Sequence, residues 1–262
     1  MELSPLDVAL AAGLVFAAGL VSALFRLGLS KRLAVGALRT ALQLGIAGAA
    51  LELVFGMKHV ILVLLLAAGM IFLAGREAIR RQAVRLSGVP GDTLLAMAVS
   101  SFVVAVIVTG VVVGAKPWWA PQFFIPLLGM ILGNSLNGIS LALDRFLTSC
   151  ATRRREIEAR LALGATAAEA SRPFLRDAVR TGMTPIINAM AIVGLVSLPG
   201  MMTGQLLAGA DPRDAVLYQI VVMYMLVAAV AIGSVLAVLL ARRRVFTRDM
   251  ALRQDLKAPR EL

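Results

Sequence analysis

From the first residue onward, long apolar runs alternate with short polar intervals, and the runs have the length of a bilayer crossing rather than of a buried strand. A helix needs about 20 apolar residues to cross the hydrocarbon core. Segments 6–25, 33–56, 59–75, 93–115, 121–142, 179–201 and 215–240 meet that requirement, the third being the shortest. The pattern predicts an all-α polytopic membrane protein with about seven transmembrane helices, organised as a single transmembrane domain over residues 1–262. Pro126 and Pro185 fall inside predicted spans and should kink them, freeing carbonyls that need a partner or a wet cavity. Gly129 with Gly133, and Gly45 with Ala49, have the spacing that permits close helix packing. No internal repeat is visible.

One polar interval, roughly 144–178, stands apart. From Arg153 it reads as helix-forming but too charged for lipid, and it leads directly into the sixth apolar run. The sequence Ala162-Leu163-Gly164-Ala165-Thr166 reads as a break between two short helices. Gly164 suits the left-handed position that ends the first. Thr166 and Glu169 have the Thr-x-x-Glu spacing of a capping box opening the second. The predicted element is a bent helical elbow outside the membrane, fused to a membrane helix.

Composition agrees with the runs: 60% of the 262 residues are hydrophobic and the mean hydropathy is +0.88. The net charge of +11 does not point to nucleic acid, because the basic residues sit in short clusters between apolar runs. Of the 26 Lys and Arg, 22 fall after the first, third, fifth and seventh spans. Only Lys58, Lys116 and Arg213 fall on the other side, and Arg39 lies within a span. That bias places the N-terminus outside and the C-terminus in the cytoplasm, which requires an odd number of crossings. The opening residues are acidic and lack a basic leader region, so the first span is expected to remain as an anchor. Trp118 and Trp119 sit where the fourth span emerges, as interfacial anchors do.

Polar side chains within spans are costly toward lipid and point to a pathway or to helix contacts. Arg39 and Gln43 are one turn apart on the second span; Arg39 either faces the pathway or reaches back to the headgroups. Asn134 and Asn137 share a face of the fifth span, with Ser140 close by, while Asn188 lies in the sixth and Gln219 near the start of the seventh. Apart from Asp7 at the very start of the first span, Glu52 is the one carboxylate within the spans. Other chemistry is absent. His59 is the sole histidine, which excludes a zinc-protease motif or a Ser-His-Asp triad, and Cys150 the sole cysteine, which excludes an intrachain disulfide. Gly110 to Lys116 only imitates a phosphate-binding loop, inside a span. The twelve methionines, Met201, Met202, Met223 and Met225 among them, are packing residues or ligands for a soft metal. Nothing here reads as an enzyme.

The elbow has Glu158-Ala159 with Gly164 six residues after the glutamate, which resembles the coupling motif Glu-Ala-Ala-x-x-x-Gly of ABC transporter permeases. Arg160 replaces the second alanine, and the isoleucine and Leu-Pro pair usual after the glycine are missing. The run Val196 to Pro212, followed by Tyr218-Gln219, together with Arg39-Thr40-x-x-Gln43, Gly133-Asn134 and Leu163-Gly164-Ala165, is similar to the Fet-type ABC permease family over essentially the whole chain. Bacterial members of that family are described as iron exporters, and plant relatives are linked to aluminium tolerance and nucleotide-sugar transport. The resemblance implies a separate cytoplasmic ATPase subunit carrying ATP and Mg, no cofactor on this chain, and two permease copies around one pathway. It implies a coupling role for Glu158, Ala159, Leu163, Gly164, Ala165 and Glu169.

The resulting expectation is the membrane subunit of an ABC exporter in a bacterial inner membrane, carrying a metal ion such as iron. A nucleotide sugar or another polar solute is the alternative cargo, and a gradient-driven carrier the alternative class. Arg39, Gln43, Asn134, Asn137, Asn188 and Gln219 form the candidate seam. Pro199, Gly200, Thr203 and Gln205 lie in a Pro/Gly-rich stretch that is either an outer gate or a re-entrant turn tying the sixth span to the seventh.

Overall fold

The computed structural model describes residues 4–57, 59–84, 86–247, 249 and 251–256. Lys58, Arg85, Arg248, Lys257 and Arg260, used above for orientation, lie outside the described residues. The chain forms two compact units, Met1–Lys58 and His59–Leu262.

The first unit is a helical hairpin of α1 (Pro5–Leu24) and α2 (Ser30–Met57). Ser4 and Asp7 form a reciprocal capping box that opens α1. The turn is closed by side chains: the Leu29 amide donates to Ser22 Oγ at 3.0 Å, and Ser30 Oγ donates to the Gly19 carbonyl at 3.0 Å. Nearly every other side chain of α1 is exposed and apolar, as expected of helices whose solvent is lipid.

The second unit holds α3 (Val60–Arg80), α4 (Val89–Ile107), α5 (Pro121–Thr152), α6 (Arg154–Ala162), α7 (Ala167–Ile192), α8 (Gly200–Leu207) and α9 (Pro212–Val245). A π-helical turn, Val108–Val112, widens the end of α4. α5 is the central element, packed on α3, α4, α7 and α9, and its Phe124, Leu128, Ile131, Ile139, Leu143 and Phe146 are fully buried. Small residues set the closest approach. A Cβ on Gly138 of α5 would lie 2.5 Å from Val230 Cγ1 of α9, and one on Gly233 of α9 would lie 2.8 Å from Ile139 Cδ1 and from Ser100 Oγ. The glycine pairs picked from spacing do not play this part within the chain. A Cβ on Gly45 or Gly133 would meet nothing, and one on Gly129 would meet only the end of Met70.

All named elements among the described residues are helices, and six of them are long and apolar enough to cross a membrane. They match the predicted spans except the sixth, 179–201. There α7 is long enough, but its first half carries Arg172, Arg176, Asp177 and Arg180, and the helix stops at Ile192. Trp118, expected at the interface, is half-buried, edge-on to Phe124 at 5.7 Å and to Phe102 at 6.3 Å.

Candidate functional site

The elbow is built as its sequence predicts. α6 ends with Gly164 at φ +91°, its N–H bonded to the Leu161 carbonyl at 2.9 Å and that of Ala165 to the Arg160 carbonyl at 3.1 Å. These are the two bonds of a Schellman end. One residue on, the Thr166 amide donates to Glu169 Oε2 at 2.8 Å, and the Glu169 amide donates back to Thr166 Oγ1 at 3.3 Å. Hydrogen bonds from the Thr166 backbone and then from its hydroxyl hold the Glu169 carboxyl below the ordinary glutamate range. Across the bend, Phe174 of α7 is buried beneath the guanidiniums of Arg153 and Arg160, 5.5 and 6.0 Å from the ring centre.

The other face of the elbow is open. Ala159 is exposed, and Leu163 is 88% exposed at the tip, an apolar side chain that nothing among the described residues covers. Glu158 pairs with Arg154 at 3.1 Å. Arg154 in turn donates to the carbonyls of Arg253 and Leu256, tying the elbow to the C-terminal tail. That tail turns back after α9 through a Phe246–Leu252 bridge and buries Leu252 and Leu256. Arg253 then reaches Ser87 Oγ at 2.8 Å, in the turn between α3 and α4. Hydrogen bonding to Arg253 also holds the Asp255 carboxyl low. A cavity of about 550 Å³ lies between the tail and the elbow, lined by Glu158, Leu161, Gly164, Ala165 and Leu252. The spacing of residues 158–169 pointed to the elbow; nothing in the local sequence pointed to the tail.

The residues read as a polar seam are divided between the two units. Arg39 and Gln43 are exposed on α2 of the first unit. In the second unit, Asn134 donates to its own helix at the Met130 carbonyl, and Ser140 to the Leu136 carbonyl. Asn137 instead accepts from Arg81 at 2.8 Å. Asn188 is exposed on α7, and Gln219 is 6% exposed. Asn188 belongs to a feature that single residues did not reveal. Arg172, Arg176, Arg180, Thr184 and Asn188 follow each other at i, i+4 along α7, all exposed, from the charged half into the apolar half. None of the three arginines has an acidic partner within 4.0 Å among the described residues.

The stretch after α7 is a turn and a short helix. The Ile192 carbonyl accepts from Val196 at 2.9 Å and, more weakly, from Leu195 and Ser197 at 3.3 Å, so the carbonyl most expected to be orphaned is satisfied locally. Gly194 and Gly209 take positive φ, at +81° and +86°, whereas Gly200 begins α8 with Pro199 as its N-cap. Thr203 Oγ1 donates back to the Pro199 carbonyl at 3.1 Å, and the buried Gln205 Oε1 has no partner among the described residues. Groups of three or more His, Cys, Asp and Glu able to hold a metal ion do not occur among the described residues.

The profile of the uncharacterised protein family UPF0014 matches residues 5–246. The chain belongs to that family. One UPF0014 relative, a membrane protein of Synechocystis sp., is 37% identical over 82% of this chain and 83% of its own length. The Escherichia coli relative, named "Probable iron export permease protein FetB", is 31% identical over 92% of this chain and 91% of its own. The UPF0014 membrane protein STAR2 of Oryza sativa is 32% identical over 85% of this chain and 76% of its own. No solved structure matches. The family match bears out the resemblance drawn from the run Val196 to Pro212, and the apolar helices make this UPF0014 chain a multi-pass membrane protein.

Proposed function

We propose that this chain is the membrane permease subunit of an ABC exporter, working as a pair of copies with a separate cytoplasmic ATPase subunit that carries ATP and Mg. The observation that carries the reading is the elbow. A short helix, α6, presents Ala159 and the 88% exposed Leu163 outward, and is joined through capped ends to α7, whose second half is apolar. A surface of that kind suits seating in a cleft of a partner, and a push on it passes into the membrane along α7. The exposed polar ridge of α7 supports a wetted path beside that helix when two copies assemble.

Iron export is the activity in the name of the E. coli relative, and it is the cargo we carry over. Groups of three or more His, Cys, Asp and Glu do not occur among the described residues, so the support for iron is the relative's name rather than a ligand set in this chain. The membrane is the bacterial inner membrane, with the elbow on the cytoplasmic side.

Affinity purification of the tagged protein from its host membranes, followed by ATPase assay, tests the reading. A Cβ on Gly164 meets nothing within 4 Å, so Gly164→Val strains only a backbone held at φ +91°. Gly164→Val and Glu158→Lys should leave the chain in the membrane while reducing recovery of the ATPase or its stimulation by transport. Normal recovery and coupled ATPase activity in both variants would remove the elbow as the coupling element.

A further inference from the structure

Where α7 stops and α8 begins, the second unit leaves a cavity of about 440 Å³ against α9. Gln219 and Met223 of α9 form its base, 6% and 8% exposed. Met190 of α7 and Met202 of α8 enter from the sides, and Leu198 and Tyr224 stand at the mouth, 56% and 65% exposed. The Gln219 amide oxygen is buried and accepts no hydrogen bond among the described residues.

Three features of this cavity narrow what it can hold. A buried acceptor left without a donor is costly, so the site favours a molecule that brings one. Thioethers are polarizable and adaptable, and they line sites that take apolar molecules of varied shape. Thioethers also accept soft cations. An ion has about the volume of one water, roughly 30 Å³, and would leave most of this space unfilled. The observed volume instead lies in the range of about 300–1,000 Å³ typical of small-molecule sites that combine apolar walls with few polar groups.

We propose that this cavity binds a small apolar organic molecule carrying one hydrogen-bond donor, a hydroxyl or an N–H. The donor sits on Gln219 Oε1 and the apolar body lies among Met190, Met202 and Met223. Leu198 and Tyr224 are exposed at the mouth, and on this proposal the molecule enters there from the bilayer. The inference stands apart from the ATPase-coupling reading and can fail without it.

Photolabelling of the purified protein in phospholipid vesicles with 4-(trifluoromethyl-diazirinyl)benzyl alcohol, mapped by mass spectrometry, tests it. The alcohol should label the Met202, Met223 and Tyr224 peptides, and its methyl ether, which lacks the donor, about fivefold less, the factor expected for one hydrogen bond of about 1 kcal/mol. Gln219→Leu should erase the difference between alcohol and ether, and Met223→Trp, which fills the base, should abolish labelling by both. Equal labelling by alcohol and ether in the unmutated protein overturns the proposal, as does labelling that survives Met223→Trp. So does a cavity closed by a second copy, seen as Tyr224→Cys disulfide dimers in a Cys150→Ser background that take up no label.

Discussion

Gly182 of α7 and Gly138 of α5 meet backbone to backbone: a Cβ on Gly182 would lie 2.6 Å from the Gly138 carbonyl oxygen and 2.8 Å from Ala142 Cβ. Neither neighbour can swing aside as the end of a long side chain could. Gly182→Ala should therefore force α7 away from α5, at a cost of about 1–3 kcal/mol. Each kcal/mol corresponds to roughly 2–4 °C of melting temperature in a chain of this size. Gly133→Ala is the control, since its Cβ meets nothing and should leave the melting temperature unchanged or slightly raised. Thermal melting of the detergent-purified variants decides it; equal melting points for Gly182→Ala and Gly133→Ala would mean the helices are not held at this distance.

A second pair joins the start of α4 to the end of α9. Arg244 Nε and Nη2 donate to the two oxygens of Asp92 at 2.8 and 3.1 Å. The left-handed Gly88, at φ +92°, lets the arginine pass close over the turn, where a Cβ would lie 3.0 Å from Arg244 Nε. Arg244→Ala leaves the 9% exposed Asp92 without its partner. The melting temperature should fall, with the loss limited because the arginine side chain is half in solvent. Arg244→Lys cannot make the fork and should recover only part of the lost melting temperature; full recovery would show that charge alone matters.

The cap on α7 gives a pH dependence. Glu169 has its pKa lowered from 4.5 by hydrogen bonds from Thr166. A depressed carboxylate contributes stability above its unfolded value and loses it as pH falls through the folded value. The advantage of the unmutated protein over Glu169→Ala in melting temperature should be complete at pH 7, begin to shrink below about pH 4.5 and vanish in stronger acid. An advantage that is the same at pH 7 and in strong acid would show that the carboxylate plays no part in the cap.

Topology turns on α7. If it crosses together with the six strongly apolar helices, the two termini lie on opposite sides. A reporter after Leu262 should be cytoplasmic and one at Met1 periplasmic. Both on one side would reduce α7 and α8 to a re-entrant excursion.

The spans and the elbow were legible because each rests on local chemistry. Apolar length gives the first, and a glycine followed by Thr-x-x-Glu gives the second. The Gly138–Gly182 contact was not legible, since it depends on which faces of two distant helices meet, and the intrahelical spacing of Gly129 and Gly133 carries no such information. The partners of the polar seam residues were not legible for a related reason. A side chain such as Asn134 can satisfy itself on its own helix, and only the position of Arg81 shows that Asn137 does not. The i, i+4 row from Arg172 to Asn188 was present in the sequence but straddles the boundary between charged and apolar halves, where a search confined to spans stops.

Between α6 and α7 the bend consumes its own hydrogen-bonding groups on both sides, through the Gly164 and Ala165 amides before it and the Thr166–Glu169 pair after it. With Phe174 clasped beneath two guanidiniums as well, the bend is a welded corner rather than a hinge. Opening it means breaking several bonds together, whereas moving both arms as one body breaks none of them. On the coupling reading, a push at Leu163 would therefore be taken up by α6 and the start of α7 together rather than lost in the bend between them.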